Sequence, residues 1–405
     1  MRIAVVSPFV DYRHGTERAL AELLHRLAHT YDCEIHLFSN RVEGLPLNDV
    51  YAPTKNGGAI YWHKVPSLRG PHLFQFLAWM PFNRRSRRRY AASHRINFDL
   101  VLSPGINCFD ADIIIVHALF HRLRELSQHQ SAESTSQTGL LRGFHRSVYY
   151  ALLRSLERKI YSRLSVALVA LSPYTADLMT KYFQRSDIHI VPNGVETQQF
   201  APAFRLAHRA EARRRRSFSA TDFVLLLIGN DCRIKGLPTV LAAMAVCRDL
   251  PLQLVVAGSD DPSKFLKMAQ DLGVANRLRW EPPRPDVIDL YAASDLYVSP
   301  TREDSFALPV AEAMACGLPV VTSVFNGVSG FMQDGIDGMI LSDPLDTATL
   351  AKLIRRLYEQ PALRQRMGAA AAHTAEQWTW DRNAAAIYEL IEQTVAAKSA
   401  LRNAP

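Results

Sequence analysis

Two carboxylates flank the start of a predicted helix in the stretch SPTREDSFALPVAEAMACGLPVVTS. Asp304 lies just before this helix, and Glu312 lies two turns later. Unpaired amides at a helix N-terminus bind anions, while carboxylates accept hydrogen bonds from sugar hydroxyls. The candidate catalytic residue here is Asp304, and the candidate binding residues are Ser305, Phe306, Ala307, Leu308 and Glu312. The alternative interpretation is that Asp304 only caps the helix and that Glu312 is exposed to solvent.

A second candidate site lies in IGNDCRIKGLPTVLAAM, where a buried strand ends, a polar turn follows and a helix begins. Gly229 lets the backbone come close to a ligand, and Arg233 and Lys235 project from the turn. Two cations at such a junction suit a diphosphate, because arginine binds it through two parallel hydrogen bonds and lysine acts as a point charge. The alternative is a pair of surface cations beside a helix start.

Two weaker candidates lie in the first half of the chain. In SPFVDYRHGTERALAELLHRLA, Gly15 and Thr16 place small residues and open amides after the first strand, where a phosphate or sugar could approach. In DIIIVHALFHRL, His117 ends a buried strand at the edge where parallel α/β sheets bind ligands. A lone histidine there is more often a structural residue, and His121 is a weaker candidate one helical turn further on.

Short apolar strands that alternate with longer amphipathic segments position these motifs. This pattern is typical of βαβ units in parallel sheets that helices cover on both faces. Two such series, separated by a polar stretch from about Glu196 to Thr221, predict two doubly wound domains. A Ser/Gln-rich stretch over 127–139 predicts a flexible loop. The predicted strands are RIAVVS, CEIHLFS, IYWHKV, DLVLSPG, DIIIVHA, VALVALS and IHIVPN, followed by FVLLLIG, LQLVVAG, RLRW, LYVSP, PVVTS and GMILS.

These motifs resemble those of the GT4 family of glycosyltransferases. They follow one another in the same order as in the family and cover nearly the whole chain. Asp304 and Glu312 have the spacing of the family's E-x7-E region, with aspartate in place of the first glutamate. Lys235 matches the lysine that neutralises a departing nucleoside diphosphate. Asn230 stands where many members carry the partner arginine, and Arg233 is the nearby cation.

The first half carries the same resemblance. The segment around Gly15 looks like the family's GG-x-E loop, with His14 in place of the first glycine and Glu17 as the acid. Members often place a histidine that contacts the donor sugar where His117 lies. LSPYTADLM and VPNGVE are similar to the family segments VSxxT and VPNGVD.

The resemblance implies a GT-B fold, in which two Rossmann-like doubly wound α/β domains face a central cleft. Residues 1–195 would form the acceptor-binding domain, and residues 196–380 the nucleotide-sugar-binding domain. A C-terminal helix over 381–405 would pack back toward the N-terminal domain.

The implied activity is that of a retaining glycosyltransferase of glycan, polysaccharide or glycolipid biosynthesis. It would move a sugar from a nucleoside-diphosphate sugar, expected to be a UDP-sugar, to an acceptor hydroxyl. Arg233 and Lys235 would neutralise the diphosphate and Glu312 would hold the ribose, while Asp304 and His117 would contact the sugar. The nucleotide sugar is a co-substrate, and no cofactor is expected.

Charge points to an anionic partner, because the chain carries a formal charge of +8. Two arginine runs stand out, RRSRRR from Arg84 to Arg89 and RRRR from Arg213 to Arg216. For each run the alternative is a solvated helix face. The first follows the aromatic stretch LFQFLAWMPF, which suits an anionic membrane surface or a lipid-linked acceptor.

The composition of the chain also bears on its cellular compartment and on whether it binds a metal ion. Five scattered cysteines favour a reduced cytoplasmic setting, and the polar residues soon after MRIAVVSPF argue against a signal peptide. With no apolar window of ~18 residues, we expect at most peripheral contact with the inner face of a membrane. Asp260 and Asp261 fit a turn better than a metal site, so none is expected.

Two other functions stay open. A GT-B epimerase or hydrolase of nucleotide sugars would share the fold and would turn over donor without an acceptor. A non-catalytic scaffold would bind membrane or nucleic acid through its arginine runs, with strong salt dependence. It would leave the Asp304/Glu312 and Arg233/Lys235 pairs unexplained, so we expect no nucleic-acid partner.

Overall fold

The structure is a computed structural model that describes residues 1–48, 58–70, 72–133, 140–283 and 287–403. Within these ranges the side chains of residues 72, 129–133, 140–147, 402 and 403 are not described. The chain forms two compact units, Met1–Pro192 with Trp380–Pro405, and Asn193–Thr379. The domain boundaries predicted from the sequence were 195 and 380.

The first unit is built on a parallel sheet of seven strands in the order β5-β3-β1-β6-β7-β8-β9, beside a small sheet of β2 and β4. All seven strands of the large sheet overlap segments predicted from the sequence, and β5 begins one residue earlier than predicted. The strands are β1 (Arg2–Val6), β2 (Phe9–Val10), β3 (Glu34–Ser39), β4 (Arg41–Val42), β5 (Ala59–Lys64), β6 (Leu100–Pro104), β7 (Ile113–Val116), β8 (Ala167–Ala170) and β9 (Ile188–Ile190). The helices are α1 (Gly15–His29), α2 (His72–His94), α3 (Phe120–Glu133), α4 (Leu140–Tyr161) and α5 (Pro173–Phe183).

The second unit is a parallel sheet of six strands in the order β12-β11-β10-β13-β14-β15. All six overlap predicted segments, and β12 ends one residue later than predicted. The helices are α6 (Pro202–Arg215), α7 (Leu237–Val246), α8 (Ser263–Asp271), α9 (Ile288–Ala293), α10 (Leu308–Ala315), α11 (Thr347–Glu359) and α12 (Pro361–Ala375), with 3-10 helices at Ala275–Arg277 and Gly327–Phe331. The strands are β10 (Phe223–Ile228), β11 (Leu252–Ala257), β12 (Leu278–Glu281), β13 (Leu296–Ser299), β14 (Val320–Ser323) and β15 (Met339–Leu341).

Most strands of the two large sheets are predominantly apolar and buried. In β7 all four residues are buried, and in β10 five of six are buried. Strands that bury both faces need helices on both sides, and the helices between the strands supply them. The doubly wound α/β architecture predicted from the alternation is therefore confirmed.

The last helix, α13 (Trp380–Asn403), belongs to the first unit. Arg26 of α1 donates to Asp381 at 2.6 Å, and Tyr31 stacks on Tyr388 with ring centroids 4.2 Å apart. Near the end of the helix, Lys398 pairs with Asp112 at 2.7 Å. These contacts attach α13 to the sheet and to α1 within that unit.

The polar stretch over 196–221 is not a linker, because it contains α6, which packs against α9 in the second unit. The guanidinium of Arg213 donates to the backbone oxygens of Ala293 (3.1 Å), Ser219 (2.7 Å) and Asp222 (2.8 Å), and pairs with Asp295 at 3.1 Å. The solvated-face interpretation is therefore wrong for Arg213. One arginine can bind helix C-terminal carbonyls and a buried carboxylate at the same time. The partners Ala293 and Asp295 lie 80 and 82 positions later in the chain, so they could not be identified from the sequence.

One further expectation changes. The Ser/Gln-rich stretch is helical up to Glu133 within α3, and its remainder, 134–139, lies outside the described residues. The five cysteines are all buried and free. No described helix is both long and apolar enough to cross a membrane.

Candidate active site

The candidate site of the second unit lies where the strand order of its sheet reverses. The chain runs from β10 to β11 and β12 on one side, then returns to β13 on the other side of β10. In open α/β sheets, ligands bind at such switch points beyond the carboxyl ends of the strands. Here β10 ends at Ile228, before the turn 229–236, and β13 ends at Ser299, before the loop 300–307.

Two glycines let the turn 229–236 approach its neighbours. Gly229 has a φ of +156°, and a Cβ atom there would lie 3.2 Å from Cγ of Lys235. Gly236 has a φ of +86°, and its Cβ would lie 2.2 Å from the backbone oxygen of Pro300. Only glycine accepts both that backbone angle and that contact. The turn is therefore packed closely against the start of the loop 300–307.

An ion pair joins the turn to the loop. Nζ of Lys235 contacts Oδ2 of Asp304, and the two side chains are 20% and 19% exposed. The backbone oxygen of Ile234 accepts from the hydroxyl of Thr301 at 3.1 Å and from the amide of Arg302 at 2.8 Å. The structure thus brings together the lysine and the carboxylate that the sequence assigned to one site.

Asp304 also organises the loop before α10. Its Oδ1 accepts from the amides of Phe306 (3.2 Å) and Ala307 (2.8 Å). These amides precede the helix and α10 has no side-chain cap, so the capping interpretation is wrong: one oxygen of Asp304 holds the loop, and Lys235 engages the other. Ala307 is the N-cap of α10 with a φ of +61°, a left-handed conformation that costs an L-residue on the order of 1 kcal/mol. Backbone strain of this kind concentrates at ligand-binding sites.

Glu312 is buried, with 3% of its surface exposed, so the solvent-exposed alternative is wrong. The hydroxyl of Tyr291 donates to its Oε2 at 2.8 Å. Burial, followed by the charge of Glu312, raises the pKa of Tyr291 well above its usual value. Tyr291 is a residue that the sequence analysis missed, since a tyrosine in a short apolar helix carries no motif.

The other candidates of this unit differ in exposure. Ser305, Phe306 and Leu308 are buried, and the ring of Phe306 packs on Trp378 with centroids 5.9 Å apart. The ring of Phe306 is therefore part of the packed interior. Arg233 is exposed, and its guanidinium forms no ion pair with any residue that the structure describes.

Asn326 was also missed by the sequence analysis. It is fully buried beside Asp304, to which a parallel backbone bridge connects it. Its Oδ1 accepts from the amide of Val328 at 3.0 Å, while its Nδ2 has no hydrogen-bond partner among the described residues. The NGVSGF segment marks a turn, but nothing in it indicates the neighbouring Asp304.

The acidic pair Asp260 and Asp261 holds backbone. Asp260 accepts from the amides of Asp231 (3.0 Å) and Cys232 (2.6 Å), which fixes the turn 229–236. Asp261 accepts from the amide of Ser263 at 3.0 Å. Across the described ranges, no group of three or more His, Cys, Asp or Glu side chains could hold a metal ion.

In the first unit, Gly15 and Thr16 are the first two residues of α1, so the predicted loop is the first helical turn. Asp11 accepts from the amide of His14 at 3.0 Å and from its Nδ1 at 2.9 Å. A pocket of about 320 Å³ lies beside this turn, and Glu17 helps to line it. Burial raises the pKa of Glu17.

The two histidines have different environments. His117 directly follows β7, and burial lowers its pKa to about 4, so its imidazole is neutral at neutral pH. His121 is buried, and its Nδ1 contacts Oε2 of Glu157 at 2.7 Å. Glu157 also accepts from the amide of Phe120 at 2.6 Å. His121 therefore belongs to a structural cap at the start of α3.

Comparison with known proteins decides the family. The model of Glycosyltransferase Family 4 matches residues 13–199, and that of glycosyl transferases group 1 matches residues 208–374. The chain belongs to the GT4 family of glycosyltransferases. The second match contains the turn 229–236, the loop 300–307 and α10.

Relatives agree with this assignment. D-inositol 3-phosphate glycosyltransferase 1 of Catenulispora acidiphila is 36% identical over 208 residues, which are 48% of this chain and 48% of that protein. The GT4 chain thus spans about half the length of the curated relatives it matches. Two crystal structures share its fold.

WaaG, a glycosyltransferase of lipopolysaccharide biosynthesis, aligns with a TM-score of 0.75 and 21% identity over 96% of this chain and 99% of WaaG. Anabaena HepE, in complex with UDP-glucose, aligns at 0.64 and 17% identity over 99% of each chain. The fold is therefore GT-B, with two Rossmann-like domains.

Proposed function

We propose that this GT4 protein transfers a sugar from a nucleoside-diphosphate sugar to an acceptor hydroxyl, with retention of the anomeric configuration. The observation that carries the proposal is the Lys235–Asp304 ion pair at the switch point of the second sheet. Anabaena HepE, which shares the fold, is in complex with UDP-glucose, and this favours a UDP-sugar as donor. The name of the relatives makes a phosphorylated inositol one acceptor to try.

The main catalytic need is to stabilise charge on the leaving diphosphate. In the proposed reaction, the bond from the anomeric carbon to the diphosphate oxygen breaks as the acceptor oxygen bonds to the same face. The acceptor's proton passes to the departing diphosphate. Lys235 and the first amides of α10 would meet the growing negative charge, and exposed Arg233 on the same turn would add a second cation.

Further residues in both units would orient the donor. Tyr291 holds one oxygen of the buried Glu312, which fixes the carboxylate proposed to accept from the ribose hydroxyls. His117 is neutral at neutral pH, so it would act as a hydrogen-bonding partner of the sugar rather than as a proton donor. Gly15 and Thr16 would offer their amides to a phosphate or sugar.

We further propose that no metal is required, because Lys235 and the helix amides supply positive charge. Chelation tests this directly: turnover unchanged by EDTA supports the proposal, and turnover lost with EDTA and restored by Mg²⁺ contradicts it.

The proposed acceptor is a sugar or a lipid-linked glycan, used at the cytoplasmic face of a membrane with peripheral contact. Exposed apolar residues on α2, Phe74 at 60% and Leu77 at 42%, support such contact. A labelled donor incubated with a membrane lipid extract should transfer label into the organic phase. Label that moves only to water-soluble sugars would rule out a lipid-linked acceptor.

A panel of UDP-, GDP- and ADP-sugars, with and without acceptor, tests the function. We expect one base to support diphosphate release that an acceptor accelerates. Lys235→Ala should slow this release by about 100-fold, as removal of one charge-stabilising donor does. Lys267→Ala removes an exposed cation of α8 in the same unit and should have no effect.

Other outcomes identify the alternatives. Full turnover without any acceptor would indicate an epimerase or hydrolase. Polyanion binding with no response to any nucleotide sugar would indicate a scaffold.

A further inference from the structure

Helix α2 presents an exposed face that changes from apolar to cationic along its length. Residues 74, 77, 81, 84, 85 and 88 are exposed at intervals of three and four, which places them on one side of the helix. The opposite side buries Trp79, Asn83 and Arg87 in the first unit. The exposed face begins with Phe74 and Leu77 and continues into the arginine run.

A surface pocket of about 670 Å³, here called the arginine pocket, lies on the cationic half of this face. Its apolar lining is formed by Met80, Pro81 and Phe109, and the last is 39% exposed. No described residue of the lining is acidic. The remaining lining residues are Arg84, Arg85, Arg88 and Arg89.

The guanidinium groups of these four arginines form no ion pair or hydrogen bond with any residue in the described ranges, whereas Arg87 pairs with Asp110 at 2.7 Å. Like charges collected in one pocket repel, and an anion that enters the pocket relieves this repulsion. Arginine also binds phosphate oxygens through two parallel hydrogen bonds. The pocket therefore has the charge and the donors for a phosphate group.

The side of the pocket at Phe109 continues this character. Nζ of Lys159 lies 5.5 Å from the centroid of the Phe109 ring, and Arg163 donates to the Phe109 backbone oxygen. Leu164 follows with 81% of its surface exposed. Cations and exposed apolar side chains thus lie on both sides of the pocket.

We propose that the arginine pocket binds the phosphate of an anionic phospholipid headgroup at a bilayer surface, while Phe74, Leu77 and Phe109 enter the interface. Exposed apolar side chains beside the cations favour a bilayer over a nucleic acid, whose backbone offers phosphate without an apolar layer. The inference rests on the proposed membrane contact and is independent of sugar transfer. It assigns the first arginine run to lipid recognition.

The test is co-sedimentation of the full chain with phosphatidylcholine vesicles that contain about a third phosphatidylglycerol. Each cation near an anionic surface contributes about 1 kcal/mol, so replacing all four arginines with glutamine should weaken binding on the order of 1000-fold. The charge-conserving variant with four lysines should lose about tenfold, because lysine lacks the paired donors. Phe109→Ala should weaken binding severalfold.

The matched control replaces four exposed cations of the second unit, Lys264, Lys267, Arg356 and Arg366, with glutamine. It carries the same change in net charge, and we expect vesicle binding within twofold of wild type. Free inorganic phosphate should compete only weakly, since it lacks the apolar layer. Thermal unfolding and nucleotide binding of each variant report on folding and on the donor site, so failure of one proposal is distinguishable from failure of the other.

Several results would overturn the inference. If the glutamine variant binds vesicles like wild type, the pocket is not involved. If the lysine variant binds like wild type, the attraction is diffuse and the pocket recognises no headgroup. If RNA binds more tightly than vesicles and displaces them, or free phosphate binds as well as vesicles do, the ligand is not a lipid surface.

Discussion

Two arginine runs look alike in the sequence and differ in the folded chain. In the run from Arg84 to Arg89, four of five guanidinium groups are exposed around a pocket. In the run from Arg213 to Arg216, Arg213 is 9% exposed and holds the end of α9, and Arg216 pairs with Glu281 at 2.9 Å. Arginine density therefore does not indicate a binding surface. What decides is whether carboxylates and helix C-terminal carbonyls lie within reach.

The largest effect should come from Arg213→Ala. This change leaves Asp295 without one cation and leaves three backbone oxygens without their donor. Removing one partner of a buried pair costs about 3–5 kcal/mol, which for a unit of this size lowers Tm by roughly 10 °C. Differential scanning calorimetry measures it.

The control lies one residue further on. Arg214 is 76% exposed and, among the residues that the structure describes, pairs with Glu211 alone, so Arg214→Ala should change the free energy of unfolding by about 0.5 kcal/mol or less. Equal destabilisation by the two changes would contradict the structural role of Arg213.

A smaller loss is expected for Arg87→Ala, within the other run. Arg87 is 5% exposed and donates to Asp110 at 2.7 Å and to Asn83 at 3.2 Å. Because Asp110 is partly solvated, we expect a cost of about 2 kcal/mol in urea unfolding. Arg88→Ala, an exposed neighbour, should cost nothing measurable. Indistinguishable unfolding curves for the two variants would show that the run has no structural member.

Acidification should destabilise the buried side of α2. His63 contacts His36 at 2.9 Å, and its ring centroid lies 4.1 Å from that of the tilted ring of Tyr90 of α2. Burial, followed by the charge of His36, lowers the pKa of His63 to about 3. His36 also bonds Glu34 at 2.8 Å, and its pKa is likewise lowered by burial. Their neutral forms are therefore favoured in the folded chain. This stability is complete above the unfolded pKa of about 6.5 and is lost as pH falls toward 3.

At pH 5 the expected loss is about 1–2 kcal/mol, measured by urea unfolding across pH. His63→Phe keeps a stacked ring and removes one titrating group, so its unfolding free energy should fall less steeply between pH 6.5 and 5. An unchanged slope would mean that His63 is protonated to the same extent in both states.

The smallest effect on stability is expected for the arginine pocket, where we expect the largest effect on vesicle binding. Replacing Arg84, Arg85, Arg88 and Arg89 with glutamine removes no described hydrogen bond or ion pair and relieves repulsion. The free energy of unfolding should stay within about 0.5 kcal/mol of wild type or rise. A loss comparable to that of Arg213→Ala would mean that the two runs serve the same purpose.

The alternation of apolar strands was enough to predict both sheets, because strands buried on both faces are continuously apolar and seldom ambiguous. The glycines and prolines around α7 and α10 likewise indicated where the site loops begin. The contacts between side chains could not be predicted from such patterns. The burial of Glu312 depends on Tyr291, 21 positions earlier, and the role of Arg213 depends on the end of α9.

The backbone conformation of single residues could not be predicted from the sequence either. Ala307 adopts a left-handed backbone that alanine rarely takes, so no propensity predicts it. The capping and catalytic interpretations of Asp304 could not be separated from sequence, since one carboxylate contacts both the loop amides and Lys235. His121 was the weaker of the two candidate histidines, and its structural partner Glu157, 36 positions later, could not be identified from the sequence.

The central claim is that Lys235 binds the diphosphate of a nucleotide sugar. Isothermal titration of UDP into the wild type, Lys235→Ala and Lys267→Ala tests it most directly. We predict that Lys235→Ala weakens binding by at least about tenfold, as loss of one charge-assisted contact does, while Lys267→Ala binds like wild type. Equal affinities for all three proteins, or no binding of any nucleoside diphosphate by the wild type, would contradict the claim.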